Sequence, residues 1–204
     1  MRASLAGQIG EQALSTLDRD AEAMGAGDAF ADALGVGATA PLFVLPDARG
    51  GEVALDAVLA RGPVVLVFYR GGWCPYCNLQ LAAFQGALAE IRAAGAELVA
   101  VSPQTPDQSL SLAEQHDLAF PVLSDAGNRV AREYGLVFTS GAAATETMNE
   151  LGVELSSFNG DETNTLPAAS TFVIGQDGRI RFASVTGDYR WRVGPDEVLA
   201  ALRG

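Results

Sequence analysis

The chain has 204 residues, enough to bury one sizeable core, and its 49% hydrophobic and 19% charged residues are typical of an ordinary globular protein. Its formal net charge is −12 at pH 7, which disfavours binding to nucleic-acid phosphates or anionic lipid surfaces. Four arginines between residues 179 and 192 come close together in sequence, but their acidic neighbours and their spacing predict the solvent face of a strand rather than a basic patch.

The amino-terminal segment has no apolar run of the kind that a secretory signal or a membrane span requires. We therefore expect a cytoplasmic protein without a membrane partner. Its two cysteines, Cys74 and Cys77, are three residues apart. Because the cytoplasm keeps ordinary thiols reduced, this spacing is typical of redox or metal chemistry rather than of a structural bridge.

Residues 1–34 form the first predicted unit, an arm of one or two amphipathic helices. Its apolar residues follow a helical spacing that Gly25 and Gly27 interrupt. These apolar residues are Ile9, Leu14, Leu17, Met24, Phe30 and Leu34. We expect the arm to cover a flank of the main domain, or of a second copy of the chain in a homodimer, and to take no direct part in chemistry.

The second unit, residues 35–204, begins with short apolar segments separated by turns. The sequence predicts a strand at 42–45, a turn at 47–51, a short helix at 55–60 and a buried strand at 63–69. A helix over 75–94, ending at Gly95, and a second buried strand at 97–101 follow. A strand, a crossover helix and a parallel strand indicate an α/β domain.

The rest of the chain predicts smaller elements. A helix at 108–116, a strand at 120–123 and a helix at 128–134 precede a long irregular insertion at 140–164. A hairpin of strands 171–174 and 179–186, joined by a Gln-Asp-Gly turn, and a helix at 195–202 close the domain.

We predict that Cys74 and Cys77 carry the chemistry, because they lie where the strand ending at Tyr69 turns into the helix starting near Pro75. Free backbone N–H groups and the positive end of the helix dipole favour a thiolate at such a position. The second sulfur, one helical turn away, is close enough to form a disulfide with an oxidised neighbour. The sequence therefore predicts a self-contained two-electron redox switch.

Two other interpretations of the cysteines stay open, a zinc half-site and a pair of buried apolar side chains. Zinc would need two further ligands, and His116 is the one histidine that the sequence offers. His116 lies in a polar run at the end of a predicted helix, where we expect an exposed imidazole without a catalytic role. A Cys/His hydrolase would require the fold to bring His116 to a thiol.

The segment 68–78, FYRGGWCPYCN, resembles the active-site segment of peroxiredoxin-like proteins in the alkyl hydroperoxide reductase and thiol-specific antioxidant (AhpC/TSA) family. Its WCxxC core also resembles thioredoxin. Further stretches agree in order, namely SPQ at 102–104, LSD at 123–125, YGLVF at 134–138, FNGD at 158–161, TFVI at 171–174 and DY at 188–189. The resemblance extends over residues 34–202.

This resemblance implies a thioredoxin-like fold, a central mixed β-sheet flanked by helices, with the arm as an amino-terminal helical extension. It also implies thiol-dependent reduction of peroxides or disulfides, with no organic cofactor and no metal. The electron donor implied is a thioredoxin, a glutaredoxin or glutathione.

The chain departs from the family pattern at several positions. Against the Pro-x-x-x-Thr-x-x-Cys segment of typical peroxiredoxins, Arg70 takes the place of the Pro, Cys74 that of the Thr and Cys77 that of the peroxide-attacking Cys. Ala169 stands where thioredoxin-like proteins have a Pro facing the disulfide and where typical peroxiredoxins have an Arg that holds the peroxide. Pro167, two residues upstream, is a doubtful substitute for that Pro.

The resemblance leaves the nucleophile open, since thioredoxin likeness assigns the attack to Cys74 and peroxiredoxin likeness assigns it to Cys77. We expect the earlier cysteine to be the more accessible, which slightly favours Cys74. Arg70 is a candidate for holding a thiolate or a peroxide oxygen, and otherwise a solvated surface residue. Trp73 is either a lid over the disulfide or ordinary core, and Thr171 is a candidate lining residue.

An enzyme that reduces peroxides or disulfides through the Cys74/Cys77 couple is the function that these observations favour. The alternative is a redox-sensing or binding module whose disulfide switches a partner interface without turnover, because the family's Pro, Thr and Arg are replaced. A scaffold without redox activity is the third hypothesis.

Overall fold

The computed structural model describes residues 2–204. The strands of this part of the chain are β1 (Val44–Pro46), β2 (Glu52–Ala54), β3 (Val64–Phe68), β4 (Glu97–Ser102), β5 (Val122–Ser124), β6 (Val137–Thr139), β7 (Thr165–Pro167), β8 (Ala169–Ile174) and β9 (Ile180–Thr186). The α-helices are α1 (Arg2–Ile9), α2 (Glu11–Ala26), α3 (Leu55–Leu59), α4 (Pro75–Ala93), α5 (Pro106–Gln115), α6 (Arg129–Glu133), α7 (Ala142–Glu150), α8 (Leu155–Asn159) and α9 (Pro195–Arg203).

A five-stranded mixed sheet forms the centre of the domain, with the order β5-β4-β3-β8-β9. The strands β3, β4 and β5 are parallel, while β8 runs antiparallel to β3 and β9 antiparallel to β8. Consequently β9 runs in the same direction as β3, and the segments that follow these two strands leave the sheet at the same edge. The predicted α/β class, with a mixed central sheet flanked by helices, is confirmed.

Strand β3 is buried along its whole length, as its continuous apolar sequence predicts. Successive side chains point to opposite faces of a sheet. Val65 and Val67 lie in one core, which α4 and α9 cover, and Leu66 and Phe68 lie in a second core, which α3 and α6 cover. Helices on both faces therefore hold β3 in the middle layer and fix the position of the loop that follows it.

The arm consists of two helices, α1 and α2. The sequence predicts one or two helices, and the structure has two. The predicted helical pattern beyond Gly27 is wrong, because α2 ends at Ala26 and residues 28–34 form turns. Phe30 packs edge-on against Phe138, with 5.9 Å between ring centroids. The apolar spacing of Phe30 and Leu34 therefore continues that of the helices, but these two side chains pack against the domain from a segment of turns.

The predicted irregular insertion at 140–164 is also wrong, because it contains the helices α7 and α8. Met148, Leu155 and Leu166 form a small third core between this segment and the domain. Helices of nine and five residues bury too few apolar side chains to show a clear period in sequence. The short antiparallel pairs β1/β2 and β6/β7 lie outside the five-stranded sheet.

No helix within residues 2–204 is both long enough and apolar enough to cross a lipid bilayer.

Candidate active site

The two cysteines lie at the amino-terminal end of α4, as the sequence predicts. Cys74 precedes the helix in an extended conformation, and Pro75 is its first residue. The carbonyl oxygen of Cys74 accepts hydrogen bonds from the backbone N–H groups of Cys77 and Asn78, at 3.0 and 3.1 Å. Cys77 lies in the first turn of the helix, where the dipole and the free N–H groups favour negative charge.

Two glycines shape the turn between β3 and α4. Gly71 has a φ of 154°, and a Cβ atom at this position would overlap the indole nitrogen of Trp73. The N–H of Gly72 donates to the side-chain oxygen of Gln104 at 2.6 Å, and its carbonyl accepts from Asn78 Nδ2 at 2.8 Å. These contacts tie the turn to β4 and to α4 and hold the cysteines in place.

Both sulfurs are unbridged and almost sealed from solvent, with Cys74 2% and Cys77 0% exposed. The expectation that Cys74 is clearly the more accessible cysteine is therefore not supported by surface exposure. One difference exists between the two, because Cys74 lines an internal cavity and Cys77 lies behind it.

Negative charge is stabilised at Cys77. Burial works against its ionisation, but the hydrogen bond from the Cys74 thiol, the charge of Arg192 and the backbone N–H of Arg70 hold the pKa of Cys77 well below the ordinary thiol value. The hydrogen bond to Cys77, together with burial and the adjacent negative charge, raises the pKa of Cys74. These shifts favour the state in which Cys74 keeps its proton and Cys77 carries the negative charge.

Arg192 supplies the charged contact to Cys77. Its Nη2 donates to the Cys77 sulfur at 3.3 Å, its Nη1 donates to Gln80 Oε1 at 3.1 Å and its Nε donates to the carbonyl of Tyr189 at 2.6 Å. Three partners in three directions fix the guanidinium plane against the sulfur. A charge-assisted hydrogen bond of this kind is about twice as strong as a neutral one.

Arg192 is not among the site residues predicted from the sequence, because the spacing of the arginines between 179 and 192 predicts the solvent face of a strand. That description fits Arg179 and Arg181, whereas Arg190 and Arg192 lie beyond the end of β9. Since β9 and β3 run in the same direction, the loop after β9 reaches the edge of the sheet where α4 begins. The DY pair at 188–189, part of the family resemblance, is the signal in the sequence that marks this loop.

Arg70 is buried, 4% exposed, so its interpretation as a solvated surface residue is wrong. Its guanidinium carbon lies 4.0 Å from the centre of the Tyr189 ring and 4.9 Å from that of Trp73. Both contacts are cation–π interactions, which stabilise a desolvated cation. The Nε atom of Arg70 is buried without a hydrogen-bond partner.

Trp73 and Thr171 lie at different distances from the sulfurs. Trp73 is half-buried, packs against the first core and the small third core and lines the cavity beside Cys74, with its indole Nε1 buried and unpartnered. Thr171 is buried on β8, and its hydroxyl accepts a hydrogen bond from Gln80 at 3.4 Å. Thr171 thus contacts Gln80, which holds Arg192. Thr171 itself does not line the cavity.

The remaining residues considered in the sequence analysis lie away from the cavity. His116 follows the last turn of α5 and is not among the cavity residues. Pro167 is in β7, paired with Val137, and Ala169 begins β8, paired with Thr186. Within residues 2–204 no group of three or more His, Cys, Asp or Glu side chains is arranged to hold a metal ion.

A cavity of about 180 Å³ lies over Cys74. The amino-terminal arm forms one side of it, through Leu5, Ile9, Leu14 and Leu17, and the residues around the start of α4 form its base. The opposite side comes from the insertion and is made by Met148, Leu151 and Val153. The expectation that the arm only covers a flank is therefore incomplete, because the arm also lines the space next to the reactive sulfur pair.

A sequence model described as the AhpC/TSA family matches residues 36–183. Among curated proteins, the chloroplastic peroxiredoxin Q of Sedum lineare is 30% identical over 145 residues, which are 71% of this chain and 66% of that protein. The chloroplastic peroxiredoxin Q of Gentiana triflora is 28% identical over 145 residues, 71% of this chain and 56% of that protein. The chain thus spans less than two thirds of the length of these plant relatives.

Solved structures show the same fold. Peroxidoxin BcpB from Mycobacterium tuberculosis has a TM-score of 0.65 at 26% identity, over 83% of this chain and 97% of that one. Peroxiredoxin Q from Xanthomonas campestris has a TM-score of 0.61 at 23% identity, over 79% and 89%. Since the family match covers more than half of the chain and the fold agrees with it, the protein belongs to the AhpC/TSA family and has a peroxiredoxin-like thioredoxin fold.

Proposed function

We propose that this chain is a thiol-dependent peroxidase that cycles Cys74 and Cys77 between dithiol and disulfide. The observation that carries the proposal is the contact of 3.3 Å between Arg192 Nη2 and the Cys77 sulfur, in the first turn of α4. A thiolate is the nucleophilic form of a cysteine, and a fixed cation beside it keeps that form populated at neutral pH. Membership of the AhpC/TSA family supports turnover over a sensing module or a scaffold.

We assign the attack on peroxide to Cys77. Its thiolate attacks the outer oxygen of a peroxide R–O–O–H, an S–O bond forms as the O–O bond breaks, and the alkoxide leaves as an alcohol after taking a proton from solvent. Cys77 is then a sulfenic acid. The Cys74 sulfur attacks it, a disulfide forms, and the hydroxyl group leaves as water with the Cys74 proton.

The family pattern supports the same division of labour, because Cys77 falls at its peroxide-attacking position. Arg192 takes over the role of the arginine that typical peroxiredoxins carry where this chain has Ala169. A peroxide in the cavity reaches Cys74 first, and the Cys74 thiol is hydrogen-bonded to the Cys77 sulfur. A peroxide therefore approaches both sulfurs from the same side, through the cavity.

The disulfide must be reduced by an external dithiol to complete the cycle. We propose a thioredoxin-type donor, with glutaredoxin and glutathione as the other candidates, and a cytoplasmic setting in which such donors are kept reduced. A homodimer stays a prediction from the arm. Reduction of small disulfides is the second candidate activity, which the likeness of the WCxxC core to thioredoxin favours.

Single-turnover kinetics of the reduced protein and of Cys74→Ser and Cys77→Ser test the assignment. We expect Cys77→Ser to lose its reaction with peroxide, and Cys74→Ser to consume one equivalent and stop as a sulfenic acid that dimedone traps. Loss of the reaction in Cys74→Ser with retention in Cys77→Ser would reverse the roles. Inertness of the unaltered protein toward both peroxide and a small disulfide would refute the enzyme.

A further inference from the structure

The cavity over Cys74 has the properties of a binding site for an organic group. Its volume of about 180 Å³ exceeds that of an engineered 150 Å³ apolar cavity in another protein that binds benzene. Leucine, isoleucine, valine and methionine side chains from the arm and the insertion make up seven of its fifteen lining residues. A cavity with such a wall favours a hydrocarbon group of about the size of a benzene ring over water.

Two buried donors at the base of the cavity lack partners. The Nε of Arg70 and the Nε1 of Trp73 each have no hydrogen-bond partner in the described residues, and the Trp73 nitrogen packs against Gly71. The side chain of Arg70 lines the cavity beside Cys74, and its positive charge attracts the oxygen of a head group. The site therefore combines an apolar wall with a cation near the reactive sulfur.

One of the two apolar sides of this cavity comes from a part of the chain that the family match does not include. The match covers residues 36–183, whereas Leu5, Leu14 and Leu17 belong to α1 and α2. Leu5 and Leu14 are buried although they lie in the arm. The space beside Cys74 is thus partly enclosed by residues that are particular to this chain's extension.

We propose that the amino-terminal arm determines substrate specificity, by enclosing a recess for the compact apolar group of an organic hydroperoxide. The peroxide oxygens face the Cys74 and Cys77 pair, and the hydrocarbon group packs against Leu5, Leu14 and Leu17. This inference rests on the proposed peroxidase function. It predicts that the protein prefers an aryl hydroperoxide to hydrogen peroxide, because hydrogen peroxide has no hydrocarbon group to cover the apolar wall.

The test compares the kcat/KM for cumene hydroperoxide with that for hydrogen peroxide. Leu14→Trp fills the recess, and we expect it to lower the ratio of the two values by about ten- to a hundredfold, since a buried apolar group of this size contributes that much discrimination. Gln8→Trp narrows the recess from an exposed position on α1 and should lower the ratio without disturbing the core. Gln12→Trp is the matched control, exposed on α2 and outside the cavity wall, and should leave the ratio unchanged.

A binding measurement separates recognition from chemistry. Cumyl alcohol, the product of cumene hydroperoxide, should quench or shift the fluorescence of Trp73 in the unaltered protein, and this response should weaken in Gln8→Trp relative to Gln12→Trp. Absence of turnover with either peroxide would refute the proposed function. Turnover of both peroxides with a ratio that Leu14→Trp and Gln8→Trp leave unchanged would refute the role of the arm alone.

Discussion

The contact between Arg192 and Cys77 shows how one side chain sets the state of a buried sulfur pair. A buried thiol without partners prefers its neutral form, since burial disfavours charge. In this site the cation of Arg192, the backbone N–H of Arg70 and the Cys74 thiol outweigh burial and lower the pKa of Cys77. The two thiols share the proton on Cys74, so the titration of each thiol depends on the state of the other.

Replacing Arg192 should raise the pKa of Cys77. We expect Arg192→Met to lower the fraction of thiolate at neutral pH and to slow the reaction with peroxide by about ten- to a hundredfold, the range that corresponds to one charge-assisted hydrogen bond. The pH dependence of thiolate ultraviolet absorbance and of the peroxide rate measures both effects. Arg192→Lys should restore part of the shift, because it keeps the charge and loses the fork of donors.

Arg181→Met is the matched control for Arg192→Met. Arg181 lies on β9 with its side chain 56% exposed, and it pairs with Asp177 at the surface. An unchanged pKa of Cys77 in Arg192→Met, or an equal change in Arg181→Met, would show that the contact does not stabilise the thiolate.

At the scale of elements, an ionic cluster joins the arm to the loop that carries Arg192. Arg190 pairs with Asp188 of the same loop at 2.7 Å and with Asp18 and Glu22 of α2 at 3.0 and 3.3 Å. Asp18 also pairs with Arg2 of α1 at 2.9 Å. The hydrogen bond from Arg190 lowers the pKa of Asp188, so this carboxylate is ionised at neutral pH.

We predict that Arg190→Gln loosens the arm more than the domain. Removing Arg190 leaves Asp188 mostly buried without its cation and leaves Asp18 with Arg2 alone, which we expect to cost about 1–2 kcal/mol in this partly solvated setting. Amide hydrogen exchange in α1 and α2 should become about tenfold faster, with little change in β3 and β4. Arg129→Gln, which breaks an exposed pair with Glu133 at 3.4 Å, is the control. If exchange in Arg190→Gln changed equally in the arm and in β3 and β4, the ionic cluster would not be what holds the arm in place.

At the scale of the whole molecule, the direction of the strands brings the site together. The loop after β3 carries Arg70 and Cys74, and the loop after β9 carries Tyr189 and Arg192. These loops are more than a hundred residues apart in sequence, as the Cys77 to Arg192 contact spans 115 positions. They meet because β8 runs antiparallel to both of its neighbours, so β3 and β9 end at the same edge of the sheet.

The shifted thiol pKa values make the stability of the reduced protein depend on pH. The pKa of Cys77 is lower in the folded protein than the value of about 8.5 in the unfolded chain, so its contribution is complete above that pH and is lost as pH falls through the folded value. The pKa of Cys74 is raised, so its contribution is complete below about pH 8.5 and is lost as pH rises through its folded value. The thiol contribution should therefore peak near pH 8.5.

Urea unfolding of the reduced protein at a series of pH values measures this dependence. We expect the free energy of unfolding to rise with pH up to about 8.5, and Cys77→Ser to remove the rise. Parallel curves for the unaltered protein and for Cys77→Ser would show that the folded pKa of Cys77 is not lowered. Cys74→Ser provides the second comparison, because it removes the proton that the pair shares.

Local sequence patterns are enough to predict the central elements and the place of the reactive pair. Continuous apolar runs predict β3 and β4, and the helix that begins at Pro75 places Cys74 and Cys77 at its amino-terminal end; these are local patterns that neighbouring residues impose. The same local patterns do not predict the short helices α7 and α8, because too few apolar residues mark their helical period.

The distant residues that surround the sulfurs are set by long-range packing, which local patterns do not predict. Arg192 has no local feature that separates it from the exposed Arg181, and its contact with Cys77 follows from the order and direction of five strands. The burial of Arg70 between two aromatic rings and the arm's place on the cavity wall depend in the same way on long-range packing. Local propensity acts over a few residues, whereas the charge state of a buried thiolate depends on every group that the fold brings within a few ångströms of it.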